Sequence, residues 1–189
     1  MAAVDIAGFV SEIKAHAAEH GFHIHAESHF VETYSLHQRW EIDLHPEEAC
    51  SGPMDLRVTL DVEPRTLLGF EDAVMALDDP DDDPAGDFLC PLVFTWSFPP
   101  LVSPPDLLVL ATDVAGLGGV ELPLEVSAID SFHRVTDAAD RTLTVVGRVS
   151  VSLTDLYRGD DNFICHLLDA CRRVSLDLLE RAERWIADR

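Results

Sequence analysis

The sequence predicts an α+β fold: an antiparallel sheet of about six strands, opening on a three-strand meander, with helices packed on one face and a long C-terminal helix. Three observations predict it. Successive runs between residues 22 and 62 alternate apolar and polar side chains with period two, which marks strands with one buried face. Residues 161–187 carry apolar side chains at helical spacing instead. The order of elements shows no internal repeat, and an antiparallel sheet covered by helices is its economical packing.

Each element has its own signal. Ile6, Phe9, Val10, Ile13 and Ala17 recur at helical spacing within residues 4–20, and Gly21 stands where a C-terminal cap belongs. In the meander, Phe22, Ile24, Ala26, Ser28 and Phe30 alternate with polar residues, as do Trp40, Ile42 and Leu44, and then Leu56, Val58, Leu60 and Val62. A short helix is expected within 65–77. Residues 78–87 hold six aspartates, two prolines and one glycine, a composition that buries no core and reads as a mobile acidic loop. The ligand spacing of a calcium-binding EF-hand loop is missing there. Leu92, Phe94, Trp96 and Phe98 then define an aromatic-faced strand. Asp106 caps a helix to about Leu117, stopped by Gly118 and Gly119. Strands near 120–135 and 141–154 form a hairpin, and the final helix starts beside Asp160 and Asp161.

Composition bounds the function. At 189 residues the chain fits one domain, 1–189. It lacks an apolar run long enough for a membrane span, and its first residues carry no basic-then-apolar signal pattern. A cytoplasmic protein is expected. The formal net charge is −22, and Lys14 is the only lysine. Nucleic acid is not expected as a partner, because its binding draws on a basic footprint. A basic protein partner suits the charge. Cys50, Cys90, Cys165 and Cys171 form no CxxC pair and read as buried free thiols.

The one concentration of ligand chemistry is histidine. Seven of the nine histidines fall between His16 and His45. Strand alternation assigns His23, His25, Glu27 and His29 to one face of the first strand, and Asp43 and His45 to the same face of the second. With the turn centred on Ser35, Phe30 faces Trp40, His29 faces Glu41, Glu27 faces Asp43, and His25 faces His45. Pairing Ile42 with Val58 then sets Arg57 beside Asp43 and Asp61 beside Arg39. His23, His25, Asp43 and His45 are therefore the candidate ligands for zinc or a similar divalent ion, with Glu27 as general base for a metal-bound water. The same residues also form a charge-complementary lattice that needs no metal, its exposed pairs worth under about 1 kcal/mol each.

No nucleophile elbow, phosphate loop or HExxH motif occurs. The Asp130, Ser131 and His133 group splits across two strand faces and makes no triad. The leading expectation is thus a non-catalytic adaptor or chaperone-like module that binds a protein partner through an acidic surface. On architecture alone the element order is loosely similar to small secretion-chaperone-type domains. Homodimerisation is expected from the apolar Leu92–Phe98 strand and terminal helix. The alternatives are a metal-binding protein or metal-dependent hydrolase at the histidine face, or a binder of a small apolar ligand in a cavity lined by Phe94, Trp96 and Phe98.

Overall fold

The computed structural model describes residues 4–79, 82–134, 136–160 and 162–186. Six strands form one antiparallel sheet: β1 (Phe22–Val31), β2 (Gln38–Pro46), β3 (Asp55–Val62), β4 (Leu89–Ser97), β5 (Leu124–Ser131) and β6 (Asp140–Ser152). Their spatial order is β1-β2-β3-β4-β6-β5. The helices are α1 (Ile6–Glu19), α2 (Pro64–Met75), α3 (Leu107–Gly118), α4 (Leu153–Arg158) and α5 (Asn162–Ile186). The α+β class, the antiparallel sheet and the long terminal helix are as the sequence predicts.

Alternation builds the core. Ile42 pairs with Val58, Val58 with Phe94, Phe94 with Gly147, and Gly147 with Leu124. Directly opposed residues share a face, so this row lies against the helices. One step along, Asp43, Arg57, Thr95, Val146 and Glu125 form the matching row on the opposite face. The apolar stripe of α5, from Ile164 to Trp185, is buried together with Phe9, Val10 and Ile13 of α1. Trp96 is fully buried, and its indole N–H donates to Ser175 Oγ at 2.8 Å. That bond supplies the buried polar tip with its partner. Phe94 and Phe98 are buried too, so the aromatic face of β4 is spent on the core of this chain.

Caps set the helix boundaries. Asp5 accepts from the Gly8 N–H at 2.9 Å, and Asp106 from the N–H groups of Leu108 and Val109. Pro64 opens α2, a position whose N–H would be unsatisfied in any case. Gly159, in the left-handed region at φ 70, closes α4. The sequence predicts no helix here and ends the preceding strand near residue 154, just inside α4.

The register holds for β2 and β3 and fails for β1. Ile42 pairs with Val58, Asp43 with Arg57 and Arg39 with Asp61, as expected. On β1, however, Ile24 pairs with Leu44 while Ala26 pairs with Asp43. His25 is an extra residue, a β-bulge, and beyond it the faces exchange. Glu27 pairs with Ile42 and His29 with Trp40, so both lie on the helix face. Glu27 there bonds Lys14 of α1, and the His29 ring stacks on Trp40 with centroids 3.9 Å apart. Phe30 takes the outer face and lies under the Arg39 guanidinium. The expected single face of His23, His25, Glu27 and His29 therefore does not form.

Of the acidic segment 78–87, residues 80 and 81 lie outside the described residues. Asp83 pairs with Arg158 at 2.9 Å. Asp161, expected at the start of α5, is likewise outside them.

Candidate metal centre

The bulge that removes Glu27 and His29 from the outer face leaves His23, His25 and His45 there. His23 and His45 are direct cross-strand partners. His25, displaced by the bulge, brings its Nε2 to 2.6 Å from His45 Nε2. A further donor arrives from the β2–β3 connection. A 3₁₀ turn, Glu47–Ala49, follows β2, and three contacts fix it. The Glu47 N–H donates to the Gly21 carbonyl at 3.0 Å, Glu48 pairs with Arg172 of α5, and Ala49 is buried. The chain then turns sharply, with Ser51 at φ 65 and the Gly52 N–H bonded to the Ala49 carbonyl. Cys50, held by that turn, sits with Sγ 3.1 Å from His23 Nδ1.

His23, His45 and Cys50 each offer one ligand atom, and these atoms lie within 4.8 Å of one another. An ion about 2.0–2.1 Å from nitrogen and about 2.3 Å from sulfur, in tetrahedral geometry, sets N···S near 3.5 Å. The His23–Cys50 pair has only to open by a few tenths of an ångström to meet that value. His45 is oriented for the task, because its Nδ1 donates to the Pro46 carbonyl at 2.8 Å. That bond leaves the proton on Nδ1 and the lone pair on Nε2, the arrangement that supporting groups impose on metal-binding imidazoles. The Nε2–Nε2 contact is then a His25 N–H donating into the His45 lone pair.

Asp43 is engaged elsewhere. Its Oδ1 accepts from Arg57 Nε at 2.7 Å, and Arg57 also reaches Glu41 at 3.3 Å. Hydrogen bonding to Asp43 holds the Arg57 guanidinium above its ordinary pKa. Glu47 reaches the trio, with Oε1 3.7 Å from His23 Nε2. An open groove of about 490 Å³ adjoins the cluster on the outer sheet face, lined by His25, Asp43, His45, Asp55, Arg57 and Thr95 among others.

Sequence reading placed His23, His25, Asp43 and His45 together. The structure gathers His23 and His45 with Cys50, sets His25 against His45, and keeps Asp43 with Arg57. Glu27, assigned as a base, is on the other side of the sheet. Cys50 is exposed and Cys165 half-buried, whereas all four thiols were expected to be buried. Burial does push the Cys90 thiol up to about 11, and it raises that of Cys171 further. The one available signal for Cys50 was its position five residues after His45, across a proline-initiated turn.

No protein family, curated protein or solved structure matches this chain. Among the described residues, no helix is long and apolar enough to cross a membrane.

Proposed function

We propose that the chain is a metal-binding protein that holds one zinc-class divalent ion through His23 Nδ1, His45 Nε2 and Cys50 Sγ, with solvent in the fourth position. The observation that carries this reading is the convergence of three donor atoms, from two strands and a fixed turn, within 4.8 Å. Two imidazoles and a thiolate select zinc over calcium and magnesium, which prefer oxygen. Because Cys50 must lose its proton to ligate, affinity rises with pH.

The test is native mass spectrometry and zinc titration of the full chain, with His45→Ala and Cys50→Ser as variants. One ion per chain is expected. Binding is lost in the first variant and falls by more than about tenfold in the second, the least that even a supporting group is worth. Unchanged melting of the metal-free variants excludes misfolding as the cause. A bare wild-type chain at saturating zinc, or variants with wild-type affinity, overturns the reading.

A further inference from the structure

At the opposite edge of the sheet, β6 runs past the start of its neighbour. Pairing of β5 with β6 begins at Leu124 opposite Gly147, yet β6 continues to Ser152. The chain entering β5 supplies one more bond, from the Arg148 N–H to the Pro123 carbonyl at 3.3 Å. Along a strand, successive residues direct their backbone groups to opposite sides. The Leu143 carbonyl accepts from Phe98, and the Leu153 N–H donates to Phe88, so odd-numbered residues of this strand address the β4 side. Arg148 addresses the other. Ser150 therefore turns its N–H and C=O toward an edge that no strand covers among the described residues, and it is exposed.

Beside this edge lies a cleft of about 490 Å³, between β6 and the first turns of α5. Its apolar wall comes from Val149, Val151, Phe163 and Leu167. Glu121 stands at one end, where the Arg173 guanidinium of α5 reaches its carboxylate at 3.9 Å, and Asp155 and Asp160 stand at the other, so the acidic surplus lies at the Asp155–Asp160 end. Among the described residues, no lysine or arginine forms its wall. Asp160 also meets the N-terminus of α5, accepting from the Asn162 N–H at 3.3 Å, which offsets the positive end of that helix dipole.

We propose that this notch takes an extended basic peptide segment of a partner protein as an added strand. One residue of the segment exchanges backbone hydrogen bonds with Ser150 and points its side chain to the outer face. Its two neighbours lie over Val149 and Val151 and enter the cleft. Arginine or lysine at the ends meets Glu121 and the Asp155–Asp160 pair. Strand addition draws affinity from the backbone and specificity from alternate side chains, and the acidic rim selects the sign of the partner's charge. The proposal shares no residue with the zinc site and stands independently of it.

The test uses the full chain and a blocked pentapeptide, arginine-valine-threonine-valine-arginine, with amide hydrogen exchange read by NMR. Saturating peptide is expected to slow exchange at Ser150. N-methylation of the threonine abolishes this, and glutamate in place of arginine prevents binding. The double variant Asp155→Asn with Asp160→Asn binds about fivefold more weakly, the scale of an exposed charge pair. Bound peptide without Ser150 protection, equal binding of the N-methylated peptide, or an unaffected double variant each overturns the proposal. The N-methylated peptide also guards against attraction by the net charge of −22 alone.

Discussion

Replacing His25 with alanine should tighten zinc binding, although sequence alone named His25 as a ligand. The His45 Nδ1 proton is held by the Pro46 carbonyl, so in the proposed site zinc takes His45 at Nε2. That lone pair already accepts the His25 N–H across 2.6 Å. An ion entering the site displaces this bond. A hydrogen bond of this kind is worth about 0.5–1.5 kcal/mol net, which converts to an affinity gain of about 2- to 12-fold when it is removed. The cost to the fold is small, since His25 is the unpaired residue of a bulge and its ring is on the surface. Competition titration of the metal-free chain against a chromogenic zinc chelator at fixed pH reads the difference. His29→Ala, on the opposite face against Trp40, serves as the unaffected control. A tenfold loss of affinity in His25→Ala would instead make His25 part of the metal shell.

Three further outcomes follow from the same geometry. A thiol reagent should modify Cys50 first and Cys165 more slowly, leave Cys90 and Cys171 unreacted until unfolding, and be blocked at Cys50 by zinc; mass mapping after timed quenching reads the order, which follows exposure and thiolate character. Ser175→Ala strips the buried Trp96 indole of its hydrogen-bond partner, costing about 1–3 kcal/mol. Thermal melting should show a fall of about 2–4 °C for each kcal/mol. Hydrogen bonding to Arg141 holds the Asp130 carboxyl below its ordinary pKa. The folded value is thus below the unfolded one, so its stabilising contribution is present above the unfolded value and is lost as pH falls through the folded one. NMR titration should show the Asp130 midpoint rising in Arg141→Gln, and an unmoved midpoint would contradict this.

The legible parts of the chain were those where side-chain size decides the face. Trp40, Ile42, Val58 and Leu60 are too large and apolar to turn outward, so the register of β2 and β3 could be read from alternation. On β1 the residues around the bulge, Ala26 and Ser28, are small enough to suit either face. Nothing in the alternation marks the exchange, which moved Glu27 and His29 to the helix side. The helix α4 was hidden in the same way, since Val149, Val151 and Leu153 keep a strand-like period to its first residue. Its signals were Ser152, whose hydroxyl accepts from the Asp155 N–H, and Gly159 at the end. Cys50 was missed because ligand geometry in a connection depends on the turn, and the contacts of that turn to Gly21 and Arg172 are remote in sequence.

The most direct measurement is the visible and near-ultraviolet absorption of the full chain loaded with one equivalent of cobalt(II) in place of zinc. Zinc-class ligation by Cys50 and two imidazoles gives intense tetrahedral ligand-field bands with a thiolate-to-cobalt charge-transfer band, the latter absent in Cys50→Ser and the whole spectrum displaced stoichiometrically by zinc. The faint spectrum of hexa-aqua cobalt, or a tetrahedral spectrum that Cys50→Ser leaves unchanged, would contradict it.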